Sequence, residues 1–122
     1  MTAALPEGLL LAFYGDDFTG STATLEALAF AGIETALLFE TPDEDLLAAL
    51  PHCRAIGIAG LSRSKTPAWM AEHLPSVFAR MRAAGPRLSH YKICSTFDSA
   101  PHEGSIGQAL ELHRGDDIGE AV

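Results

Sequence analysis

Four short apolar runs, each leading through a polar loop into a stretch at helical spacing, constrain this chain more than any single residue does. The runs cover residues 9–14, 34–39, 54–61 and 88–93. Each has the length of a strand, and residues 9–14 and 54–61 are apolar almost throughout, the pattern of strands covered on both faces. The segments between them carry explicit helix signals. Residues 21–31 place Leu25, Leu28 and Ala29 on one face and end at Gly32, where a left-handed residue closes a helix. Thr41, Pro42 and Asp43 supply an N-cap, a first-turn proline and an acid at the positive end of the dipole, and the stripe Leu46, Leu47, Leu50 stops at Pro51. Thr66 and Pro67 repeat that signal ahead of Met70, Leu74, Val77, Phe78 and Met81, with Pro75 able to kink or divide the helix and Gly85-Pro86 ending it. A last helix opens at Gly104-Ser105 and runs through Leu112. This alternation predicts an α/β fold: a three-layer, Rossmann-like domain with a mostly parallel sheet and helices on both faces. Residues 1–113 read as that domain and residues 114–122 as a tail without pattern.

Charge narrows the partners. Sixteen acidic against eight basic residues give a formal charge of −8, which argues against nucleic acid and against an anionic membrane surface. No apolar run is long enough to span a bilayer, and the first residues lack the basic region of a signal peptide. The only cysteines, Cys53 and Cys94, and the five scattered histidines lack metal-ligand spacing, so no metal site is expected. A reduced, cytoplasmic protein is the expectation. Cys94 with His90 as its base could form a nucleophilic pair on one strand face, but nothing nearby lowers the thiol pKa, and a buried structural thiol is the better reading.

In a parallel sheet the carboxyl ends of the strands share one edge, and ligands bind there. Three polar loops leave that edge: Asp16, Asp17 and Thr19; Ser62, Arg63, Ser64 and Lys65; and residues 92–99 with Lys92, Ser95, Thr96 and Asp98. Carboxylates accept hydrogen bonds from hydroxyls, Arg63 presents a planar fork to an anion, and Lys92 a point charge. Gly104 and Ser105, at a helix start, could direct backbone N–H groups at an anion. The mixture suits a small, hydroxylated, negatively charged molecule. Plainer roles compete: Asp17 or Thr19 capping a helix, Lys65 solvated, Lys92 either snorkelling outward or meeting Asp16, Asp17 or Asp98. A phospho-receiver is excluded because residues 59–62 carry no carboxylate at the end of the third strand. A haloacid-dehalogenase-type phosphatase fits poorly because Asp16 and Asp17 are adjacent rather than one residue apart.

Tyr14-Gly-Asp-Asp-Phe-Thr-Gly-Ser-Thr-Ala-Thr-Leu-Glu-Ala-Leu28 resembles the start of the four-carbon acid sugar kinase family, which includes threonate and 3-oxo-tetronate kinases. Ser62-Arg63-Ser64 resembles that family's second polar loop, and His90-Tyr-Lys-Ile-Cys-Ser-Thr-Phe-Asp-Ser99 with Gly104-Ser-Ile-Gly107 its third. The blocks occur in the family's order over residues 9–112. The resemblance implies an N-terminal domain that holds a sugar acid, with Asp16, Asp17, Arg63, Lys92, Ser95, Thr96 and Asp98 lining it, and Thr19 of the first polar loop is a further candidate for substrate binding. On chemical grounds a carboxylate receives the proton of the phosphorylated hydroxyl, with Asp17 the first candidate and Asp16 the second. The resemblance also implies that ATP and Mg²⁺ are bound by a C-terminal nucleotide domain. The present sequence has no Gly-x-x-x-x-Gly-Lys loop and lacks that domain. Alone it is expected to bind acid without transferring phosphate, and a non-catalytic acid-binding module is the alternative. A homodimer stays open.

Overall fold

The computed structural model describes residues 5–93 and 99–114. Four strands, β1 (Leu11–Gly15), β2 (Thr35–Leu38), β3 (Ala55–Ala59) and β4 (Leu88–Lys92), form one sheet in the order β2-β3-β1-β4, every pair parallel. The helices are α1 (Phe18–Phe30), α2 (Glu44–Ala48), α3 (Pro67–Ala83) and α4 (Ile106–Arg114), with a 3₁₀ turn at Ser62–Ser64. The predicted three-layer α/β architecture is the one found.

The period of a strand decides which layer each residue meets. On β1, Phe13 and Gly15 face α1, while Ala12 and Tyr14 face α3. Phe13 lies across its register partner Gly57, where a Cβ would come within 2.1 Å of the ring, and a Cβ on Gly15 would stand 1.9 Å from Ser21 Oγ of α1. Across the sheet, Ala12, Tyr14 and Ile58 pack with Met70, Leu74, Phe78 and Met81 of α3 and Ala109 of α4. Burial of each large member of this set contributes about 1.5–3 kcal/mol. The central strands β1 and β3 are buried, as continuous apolar runs should be, whereas β2 and β4 are edge strands and only half-covered.

Three local expectations need correction. Helix α1 begins at Phe18 rather than at residue 21, because Asp17, in extended conformation, already caps it by accepting from Gly20 N–H. Helix α2 is capped by Asp43, not Thr41; it covers five residues, buries none of them, and leaves Leu46 exposed. Pro75 does not divide α3, which runs unbroken from Pro67 to Ala83. The carbonyl that Pro75 cannot serve belongs to Ala71, four residues back, which is an exposed residue.

The topology fixes where a ligand can sit. From β1 the chain crosses β3 to reach β2; from β3 it crosses β1 to reach β4. Right-handed crossovers in opposite directions put α1 and α3 on opposite faces, and a crevice opens between the carboxyl ends of β1 and β3.

Candidate functional site

Asp16, the first residue beyond β1, is where the loops at this edge are joined. Its N–H donates to the Lys92 carbonyl at 3.0 Å, at the end of β4. Its carbonyl accepts from Arg63 N–H at 3.1 Å, in the loop after β3. The segment after β4 reaches the same loop, with Gly104 N–H donating to the Lys65 carbonyl at 2.6 Å. Gly104 has a φ of +58°, and a Cβ there would lie 2.1 Å from the Arg63 carbonyl oxygen, so the position requires glycine for conformation and for space. The convergence of three loops is thus written in main-chain hydrogen bonds.

Side chains follow from these anchors. Asp17 does two jobs at once: Oδ1 accepts from Gly20 N–H at 2.9 Å as the cap of α1, and Oδ2 stands 3.5 Å from Arg63 Nη1. Capping and site-lining, which compete in a sequence, coexist here on two oxygens of one carboxylate. A hollow of about 600 Å³ is lined, among the described residues, by Asp16, Asp17, Leu61, Arg63, Ser64, Ser99, Ala100 and Glu103. That volume falls within the about 300–1,000 Å³ usual for small-molecule sites.

Other expected site residues sit elsewhere or outside the described residues. Thr19 is exposed and offers its carbonyl to Thr22 Oγ1. Lys92 does not line the hollow; its ammonium donates to the Ile93 carbonyl at 2.5 Å and lies beside Gly20, at the start of α1. At the start of α4 the N–H groups are already engaged: Ile106 N–H donates to Ser99 Oγ at 3.0 Å and Gln108 N–H to Ser105 Oγ at 3.1 Å. Ser95, Thr96, Asp98 and Cys94 lie outside the described residues. Cys53 is a buried free thiol whose pKa is raised by desolvation and then by Glu34, the behaviour of a structural cysteine.

Reasoning from sequence missed Glu103, and it left Ser64 and Ser99 out of the site although both stand in the polar loops it singled out. No motif marks Glu103. It faces the hollow because Ala100 and Glu103 exchange main-chain hydrogen bonds in a short turn just before Gly104.

Among the described residues the lining therefore sets three carboxylates against one guanidinium. Carboxylates and serines hold hydroxyls, and the guanidinium holds one carboxylate. The set does not suit a nucleoside triphosphate, which needs a cradle of N–H groups and cations. Among the described residues no group of three or more His, Cys, Asp or Glu side chains could hold a metal ion, and no helix is long and apolar enough to cross a membrane.

The chain is similar in sequence and fold to known proteins. The chain is 51% identical over 109 residues to a 3-oxo-isoapionate kinase from Paraburkholderia graminis, covering 89% of this chain and 23% of the relative. It is 36% identical over 115 residues to a 3-oxo-tetronate kinase from Methylobacterium radiotolerans, covering 93% and 26%. The chain thus spans about a quarter of the length of these kinases. A domain of unknown function from Bordetella bronchiseptica, solved with bound citrate as a domain-swapped dimer, superposes with a TM-score of 0.74 at 26% identity, over 88% of this chain and 26% of that one. Residues 11–116 match the family described as the sugar-binding N-terminal domain, and the chain belongs to that family.

Proposed function

We propose that this chain is the sugar-acid-binding part of an ATP-dependent kinase that phosphorylates a hydroxyl of a 3-oxo sugar acid. One observation carries the reading: Asp17 and Arg63, delivered by different loops, meet at 3.5 Å beside a hollow that both line. The kinase relatives support the reaction class, and the 51% identity to a 3-oxo-isoapionate kinase favours 3-oxo-isoapionate over 3-oxo-tetronate as the acid.

In this reading Arg63 takes the substrate carboxylate, and Asp16, Ser99 and Glu103 take hydroxyls. An arriving carboxylate draws the guanidinium away from Asp17 Oδ2, which is then able to accept the proton of the hydroxyl that attacks phosphorus; Asp16 is the second candidate for that base. Lys92, beside the cap of α1, adds positive potential. Gly104 and Ser105 shape the site by holding the start of α4. ATP and Mg²⁺ are assigned to a C-terminal nucleotide domain, and residues 1–113 to acid binding. A homodimer belongs to the same reading, supported by the domain-swapped neighbour.

The test is calorimetric titration of the 122-residue chain with 3-oxo-isoapionate, 3-oxo-tetronate and citrate, followed by addition of ATP and Mg²⁺. Saturable binding of a 3-oxo acid without phosphoryl transfer is expected. Turnover by this chain alone would refute the division of labour. Tight binding of citrate with no response to either 3-oxo acid would favour a non-catalytic acid-binding module.

A further inference from the structure

The loop that carries Arg63 rests on a group of buried hydroxyls with no part in the chemistry proposed above. Tyr14 and Tyr91 are register partners on β1 and β4, and their rings stack with centroids 5.5 Å apart and planes at 23°. Phe78 meets both rings edge-on, at 6.1 Å in each case. The Tyr91 hydroxyl lies 2.5 Å from Ser62 Oγ. The Tyr14 hydroxyl bonds to Ser62 as well, occupying the space that a Cβ on Gly60 would fill. Ser62 is fully buried and immediately precedes Arg63.

A 3₁₀ turn of three residues has poor internal hydrogen-bond geometry, and this one has no side-chain cap. Something beyond the turn must hold it. Phenylalanine at either tyrosine position would preserve the ring packing; what the hydroxyls add is the tie to Ser62. Hydroxyls taken from water cost desolvation unless each finds a partner; here Ser62 Oγ meets the Tyr91 hydroxyl, and the Tyr14 hydroxyl is met by Ser62 and by the main chain of Leu61 and Ser62. We propose that Tyr14, Ser62 and Tyr91 form a positioning device that fixes the Ser62–Ser64 turn where the Arg63 guanidinium meets the substrate carboxylate. Burial raises the pKa of both tyrosines, so both stay neutral and able to donate across the physiological range. The device rests on the proposed role of Arg63 as carboxylate ligand.

Two readouts on the 122-residue chain test it, using Tyr91→Phe and the double variant Tyr14→Phe/Tyr91→Phe, with circular dichroism to verify that each variant folds. The first is nitrogen-15 NMR of the Arg63 side chain without ligand. Its Nε–H should exchange with water several-fold faster in the variants, and an unchanged rate overturns the proposal whatever the chain binds. The second compares affinity for 3-oxo-tetronate with that for its uncharged amide. Loss of one positioning bond is expected to weaken the acid about tenfold and leave the amide within about twofold. An equal loss for acid and amide would mean that the hydroxyls only hold the fold, and it too overturns the proposal. A wild-type chain that binds neither compound defeats the sugar-acid reading instead, and the exchange rate then decides the positioning claim by itself.

Discussion

Arginine at position 63 is asked for a planar, two-pronged grip that lysine cannot reproduce. If the substrate carboxylate lies on that fork, Arg63→Lys should weaken acid binding about tenfold although the charge is kept, measured by calorimetric titration. Asp17 allows its two duties to be separated. Asparagine caps a helix as well as aspartate does, so Asp17→Asn should hold stability within about 0.5 kcal/mol, whereas Asp17→Ala should cost about 1 kcal/mol in urea unfolding. The ion pair itself contributes little to that balance. The Arg63 side chain is 37% exposed, and such pairs are worth about 0–1 kcal/mol. Asp16, Asp17 and Arg63 were legible in the sequence because each stands directly after a recognisable strand or in the polar loop that follows one. Glu103 was not, since its place depends on a turn closed by its own main chain with Ala100, and no residue pattern announces that turn.

At the scale of elements, glycine marks where the site is assembled. Gly32, at φ +80°, has open space where a side chain would go, so Gly32→Ala should cost only the left-handed strain, about 1 kcal/mol. Gly104 combines positive φ with a Cβ position 2.1 Å from the Arg63 carbonyl oxygen, and main chain cannot step aside as a side-chain tip can. Gly104→Ala should therefore cost more than Gly32→Ala, about 2–4 kcal/mol in urea unfolding, and should weaken acid binding as well. Equal penalties at the two positions would argue against the close apposition of the two loops. Strands and the two long helices could be read from apolar runs and cap residues because those signals are local. The shortness of α2 could not: its leucines have helical spacing, but no neighbouring layer buries them, and burial is decided by tertiary structure.

For the molecule as a whole, Tyr14, which is buried, and Tyr91, which is partly buried, predict how stability responds to alkali. Both have a pKa raised above the ordinary 10.0, chiefly by desolvation. Below pH 10 they are protonated in folded and unfolded chains alike, and their contribution is complete. As pH rises past 10, the unfolded chain ionises them while the folded chain does not, so unfolding is increasingly favoured. Unfolding midpoints in urea should fall between pH 10 and 11.5, with a shallower slope in the Tyr14→Phe/Tyr91→Phe variant. The overall architecture was legible because alternating strands and helices leave few topologies to choose from. That Lys92 turns to the Ile93 carbonyl, away from the lining of the hollow, is a matter of one rotamer, and strand periodicity does not determine it.

The most direct test of the account is to map, by NMR, where a 3-oxo sugar acid lands on the isotope-labelled chain. The account predicts that titration with 3-oxo-isoapionate shifts the amide signals of Asp16, Asp17, Arg63, Ser64, Ser99 and Glu103 together, and that Arg63→Ala abolishes the response. Shifts gathered instead in the apolar groove lined by Phe18, Phe39, Trp69 and His73, or a response that survives Arg63→Ala, would contradict it.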